Sequence, residues 1–250
     1  MRRVSQRKKT PTLPFRITAN KPEPRDRQVK GQKFYAAHDD PEKLRINRLF
    51  ARNVVNFLGL TPRVIILDTA EAITSKILVA AGIRKSLITA PNLNVHDSLR
   101  LRAYGVHDFI GNIETVVQLT SFDAGWYDSM TTMNGRVDVQ SYIGLFVHRF
   151  LIRNRGKRCV LAVTVNTQSS TTSCNGLPQK KMFKRQVAAL IAYHGFVAKK
   201  RIIDPYKKSH VFGMWNLVPA PTGPQRVELL CHEDGHRLVG FPPGFTHYDL

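Results

Sequence analysis

No stretch of this 250-residue chain stays apolar for the ~18–20 residues that a membrane-spanning helix needs, and no apolar segment follows the charged start Met1-Arg2-Arg3. Neither a transmembrane anchor nor a secretory leader is therefore expected. Cysteine is sparse: Cys159, Cys174 and Cys231 are odd in number and form no C-x-x-C pair, which argues against a disulfide framework and a zinc ribbon. That usage suits a reducing, intracellular compartment, nuclear or cytoplasmic. Acid is the other shortage. Against 38 Lys and Arg stand 18 Asp and Glu, a formal charge of +20 and a pI near 10.3. A field of that sign draws polyanions and raises their encounter rate, so a nucleic acid, RNA or DNA, is the expected partner. The oligomeric state is left open.

Much of the excess charge is clustered. Residues 1–22 hold seven Lys or Arg, among them Arg2, Arg3, Arg7, Lys8 and Lys9, with three prolines and no acid. Together with the polar stretch that follows, residues 1–40 read as a basic, disordered arm and linker suited to phosphates. An Arg-rich, acid-free start also occurs in organellar transit peptides, although the prolines oppose the amphipathic helix that such a peptide forms. From Pro41 the pattern changes. Ile46, Leu49, Phe50, Val54, Phe57 and Leu58 recur at helical spacing, with Arg45, Arg48 and Arg52 elsewhere on the wheel. Pro41 suits a first turn and Gly59 an end, so a helix covering one face of a sheet is predicted.

The stretch from Arg63 to Asn92 sets the architecture. Arg63–Leu67 reads as a buried strand that stops at Asp68. Ala72–Ala81 has helical composition, Gly82 suits its end, and Lys85–Ala90 is β-rich again. Strand, polar turn, helix and strand within about thirty residues make a βαβ unit, and the turn after the first strand is where such sheets bind ligands. The alternation continues with strands at Val106–Ile110, Gly125–Met130 and Lys157–Val165. Helices are expected at Val95–Ala103, Glu114–Leu119, Asp138–Ile152 and Gln179–Tyr193, the last carrying Lys180, Lys181, Lys184 and Arg185 on its first turns. Val197–Ile203 and His210–Val218 are separated by six residues, too few for a parallel crossover, so they form an antiparallel hairpin.

Five βα units followed by a helix and a hairpin resemble the class I S-adenosylmethionine-dependent methyltransferases, over roughly Arg63–Val218. The resemblance implies an α/β, doubly wound, seven-stranded sheet, mostly parallel, with its seventh strand inserted antiparallel. It also implies S-adenosylmethionine as cofactor. The loop Asp68-Thr69-Ala70-Glu71 would lie against the methionine part. Asn92, where the family has an acid for the ribose hydroxyls, would end the second strand, and Asp108 would meet the adenine. Tyr127 and Asp128, with Ser129, would face the transferred methyl as the catalytic pair. The chain departs from the family in having no glycine between Asp68 and Lys76, no Asn-Pro-Pro-Tyr or Asp-Pro-Pro-Tyr after the fourth strand, and no readily assembled Lys-Asp-Lys-Glu set of the ribose 2′-hydroxyl enzymes.

Each of these residues has a plainer reading. Asp68 and Asp128 end strands where an acid also caps the following helix, and Trp126 and Tyr127 alternate, so one packs in the core while the other lines a pocket. Cys231, His232 and His236 match no usual zinc spacing, and no metal is expected. Residues 41–218 are thus read as the methyltransferase-like domain and residues 219–250 as an extension with a small hairpin. Two function classes follow. One is a methyltransferase acting on nucleic acid, its phosphates gripped by the arm and by Lys180, Lys181, Lys184 and Arg185. The other is an inactive scaffold of the same fold with a structural or nucleic-acid-binding role in a ribonucleoprotein, chromatin-like particle or virion.

Overall fold

The computed structural model describes residues 40–132, 137–166, 179–206, 210–222, 228–229 and 238–239. Arg2, Arg3, Arg7, Lys8 and Lys9 lie outside them, as do Cys231, His232 and His236 and residues 167–178.

Helix α1 (Pro41–Leu58) starts where the Asp40 carboxylate accepts hydrogen bonds from the Glu42 and Lys43 amides, and it ends at Gly59, whose φ is 88°. Its inward face carries Ile46, Phe50, Ala51 and Val54, all fully enclosed. Seven strands follow: β1 (Val64–Ile66), β2 (Ile88–Asn92), β3 (His107–Ile110), β4 (Ala124–Thr132), β5 (Cys159–Asn166), β6 (Phe196–Tyr206) and β7 (His210–Pro219). They form one sheet in the order β3-β2-β1-β4-β5-β7-β6. β1 to β5 are parallel, whereas β7 runs antiparallel to both β5 and β6, in register from Cys159 opposite Leu217 to Asn166 opposite His210. This is the class I methyltransferase fold, with the reversed strand where the short hairpin link required it.

Helices α2 (Ile73–Ala80), α3 (Val95–Tyr104), α4 (Ile113–Leu119), α5 (Val137–Arg153) and α6 (Gln179–Tyr193) complete the two outer layers. One face of the sheet packs under α1, α2 and α3, with Phe50, Trp126 and Phe212 in contact at ring separations of 5.0 and 5.3 Å. Such pairs add roughly 0.5–1.5 kcal/mol each beyond the area they bury. The other face packs under α4, α5 and α6 through Phe146, Phe150, Phe183 and Trp215. The run Lys85–Ala90 does not begin as a strand. Lys85–Leu87 forms a 3-10 turn, and β2 starts at Ile88, where the side chains begin to be buried by β1.

A polar tie within the apolar layer was not foreseen. Asn53 on α1 and Asn216 on β7 are both buried and exchange amide hydrogen bonds, which fixes the helix against the reversed strand. Apart from the main sheet, β8 (Glu228–Leu229) and β9 (Leu238–Val239) pair antiparallel, Glu228 opposite Val239 and Leu229 opposite Leu238.

Candidate cofactor and acceptor site

β1 is only three residues long, whereas its neighbours run on past it. Pro91 and Asn92 of β2 pair with β3 beyond the last residue of β1 that pairs with β2. The early stop of β1, at the point where the strand order reverses, opens a crevice at the carboxyl edge of the sheet. A cavity of about 550 Å³ occupies it, bounded by Leu67 and Asp68 after β1, Asn92 and Leu93 at the end of β2, Gly111 to Glu114 after β3, and Tyr127 on β4. That volume lies within the ~300–1,000 Å³ of small-molecule sites, and the apolar walls with a few polar groups have the usual composition of such sites.

Asp68 is buried and serves two purposes. Its Oδ2 accepts from the Ser75 amide at 2.8 Å and from the Ser75 hydroxyl at 2.7 Å, and its Oδ1 accepts from the Thr69 amide. It therefore closes the amino end of α2, the plainer role open to it in the sequence, while also lining the cavity. Burial pushes its carboxyl above the ordinary range, and the hydrogen bonds from Ser75, Thr69 and Thr74 oppose that shift. The glycine-free loop still makes a glycine-like turn: Ala72 sits at φ 52°, ψ 39°, the one non-glycine residue with positive φ among the described residues. Thr69 is exposed, donates to Glu71, and is not among the cavity-lining residues.

Asn92 lines the cavity, but its amide is engaged on both sides. Nδ2 donates to the Asp68 carbonyl at 3.0 Å and Oδ1 accepts from the Asn94 amide at 2.8 Å, which locks the loops after β1 and β2 together. Asp108 stands inside β3, and its carboxylate turns to α3, where it accepts from Ser98 at 2.6 Å and from Arg102 at 2.8 and 3.0 Å. The Arg102 guanidinium, with Ser98 assisting, holds this carboxyl below its ordinary value. The chain position after β3 belongs instead to Gly111 and Asn112.

Tyr127 and Trp126 do alternate. Trp126 is core, its indole N–H donating to Thr164, whereas Tyr127 packs on Phe146 and borders the cavity. Asp128 points to the α1 side of the sheet and pairs with Lys43, which also lies 4.5 Å from the centroid of the Trp126 ring. Asp128 Oδ1 is enclosed and accepts no hydrogen bond among the described residues. Sequence reasoning missed Lys43 because it precedes Asp128 by 85 positions and its helix was read as a sheet cover with an outward basic face. It also missed Glu114, a carboxylate only 5% exposed at the cavity wall. The signal was there: Glu114 opens the helix after a strand, at the carboxyl edge that binds ligands in this fold class.

Of the proposed phosphate-binding residues, Lys184 is half-buried and Arg185 exposed on α6. Lys180 and Lys181 belong to the same helix, whose first turn carries no acidic residue.

No family model matches the chain, and no curated protein matches it. Among solved structures it is similar to the N-methyltransferase NodS from Bradyrhizobium japonicum WM9 in complex with S-adenosyl-l-homocysteine, at 10% identity over 73% of this chain and 90% of that one, with a TM-score of 0.48. It is also similar to a 1,6-didemethyltoxoflavin-N1-methyltransferase from Burkholderia thailandensis, solved with 1,6-didemethyltoxoflavin and S-adenosylhomocysteine. There the identity is 13% over 72% of this chain and 80% of that one, with a TM-score of 0.46. A methyltransferase from Geobacter sulfurreducens is 14% identical over 70% of this chain and 80% of that one, with a TM-score of 0.43.

Proposed function

We propose that this protein is an S-adenosylmethionine-dependent methyltransferase that acts on nucleic acid. The observation that carries the reading is the cavity itself. It lies at the switch point of a class I sheet, has the volume of a nucleoside site, and is walled by Leu67, Pro91, Leu93 and Ile113 with the carboxyl-bearing residues Asp68 and Glu114. These walls suit a flat, apolar ring, and the acids suit hydroxyl and amino donors. When bound, S-adenosylmethionine supplies an electrophilic methyl group.

The chain's own residues would then orient the acceptor. Tyr127 forms the wall next to the transfer point, and Asp128 follows it on the strand. Asp128 does not itself line the cavity, and its enclosed carboxylate is held by Lys43, so the pair would act behind Tyr127 to position the acceptor side of the site. Lys and Asp are two residue types of the Lys-Asp-Lys-Glu set that the sequence alone could not assemble. The nucleic-acid substrate is supported by the charge of +20 and by the basic segments 1–22 and 180–185.

A second reading, the scaffold that has lost catalysis, draws on the Ala72 turn and on the engagement of Asp68 and Asn92 in local hydrogen bonds. Calorimetric titration of the purified protein with S-adenosylmethionine separates the two. Saturable heat at micromolar cofactor supports the enzyme, and no heat at millimolar cofactor removes it.

A further inference from the structure

Three polar residues expected at the cofactor are committed elsewhere. Asp68 caps α2, Asn92 bridges two loops, and Asp108 is tied to α3. Glu114 has a different environment. It is 5% exposed, borders the cavity, and its carboxylate accepts only from its own amide among the described residues. Arg149 donates to the Glu114 carbonyl, and its charge lies close enough to be felt by the carboxyl, yet the two side chains form no salt bridge. Enclosing a carboxylate without an ion pair is costly, and packing alone does not require it, since Ile113, Val116 and Val117 already fill the apolar side of α4. Such a carboxyl either takes up a proton or finds a donor, and the cavity beside Glu114 has room for a ligand to be that donor.

We propose that Glu114 is the carboxylate that receives the ribose hydroxyls of the bound nucleoside. It would take over from α4 the task that related enzymes give to an acid ending the second strand, where this chain has Asn92. The assignment rests on the cofactor reading above. α4 packs against both β1 and β2, so Glu114 reaches the same cavity as Asn92 from the neighbouring element. Two vicinal hydroxyls donating to one carboxylate make charge-assisted hydrogen bonds, which an uncharged amide in the place of Asn92 does not match.

The test is a cycle between protein and ligand. S-adenosylhomocysteine and its 2′-deoxy and 3′-deoxy analogues are titrated calorimetrically into the wild-type protein and into Glu114→Gln, with thermal melts confirming that the isosteric variant folds. Wild type is expected to lose roughly tenfold or more in affinity for each missing hydroxyl. Glu114→Gln should bind S-adenosylhomocysteine roughly ten- to hundredfold more weakly and discriminate the deoxy analogues by less than about threefold. Burial pushes the Glu114 carboxyl up, so wild-type affinity should also fall on acidification toward pH 5 more steeply than that of Glu114→Gln. Equal deoxy penalties in both proteins, or unchanged affinity in the variant, would overturn the assignment while leaving the cofactor reading intact. A wild-type protein that binds none of the three ligands would overturn both.

Discussion

Lys43, on the first turn of α1, forms an ion pair with Asp128 in the middle of β4 and covers the Trp126 ring, so one side chain links the outer helix to the strand beside the proposed acceptor site. Both partners are largely enclosed, at 16% and 13% side-chain exposure. Removing one charge leaves the other stranded. Lys43→Met is expected to destabilise the fold by about 2–4 kcal/mol, and adding Asp128→Asn should recover part of that loss. Urea denaturation of the two single variants and the double variant measures it; additive losses would mean that the pair contributes nothing as a pair.

Ala72 carries a left-handed backbone in the loop where this chain lacks glycine. Glycine there would relieve about 1–2 kcal/mol of strain, but it would lose a buried methyl worth about 0.8 kcal/mol and gain unfolded-state entropy. Ala72→Gly is therefore expected within about 0.5–1 kcal/mol of wild type. The same change at Ala188, exposed in the interior of α6, should cost about 1 kcal/mol, and Ala72→Val should cost more than either. Denaturation midpoints of the three variants decide the order.

His148 Nδ1 and His194 Nε2 lie 2.8 Å apart in the layer between α5 and α6, both 1% exposed. Burial, with the charges of His148 and Arg155, pulls His194 from 6.5 down to about 3. A histidine depressed in the folded state binds its proton more readily when unfolded. Its contribution is fully present above pH 6.5 and is lost as pH falls from 6.5 toward 3, at about 1.4 kcal/mol per unit inside that window. Between pH 7.5 and pH 5, stability should drop by about 2 kcal/mol from this group, and His194→Gln should flatten the slope. Urea midpoints across that range test it.

Lys184 and Arg185 bear on the nucleic-acid reading. If both meet phosphates, neutralising them should reduce the slope of log affinity against log salt by about 1.8 for duplex DNA, with little change in base preference. Deleting residues 1–22, with their seven positive charges, should reduce it by roughly 4–6. A labelled oligonucleotide titrated across a salt series reads both, and unchanged slopes would mean that the charge is solvated surface.

Periodicity and punctuation made the layers legible before any coordinates. The apolar face Ile46-Phe50-Val54, the short β-rich runs and the brief link before His210 dictate helices, parallel strands and one reversed strand, because burial period and loop length are local properties of the chain. The crevice was legible to the same degree: Asp68 follows the first strand and Asn92 ends the second, and strand ends meet at one edge of the sheet, where the longer β4 brings Tyr127 alongside. What each side chain does there was decided by the tertiary structure. Asp108 turned to Arg102 on its neighbouring helix, and Asp128 met a lysine from the far end of the domain. Glu114 came to the cavity wall because β1 stops early and α4 packs against its end. The Lys43–Asp128 pair and the enclosure of Glu114 at the cavity depend on segments brought together by the fold, and which side chains meet there is not written in their spacing along the chain.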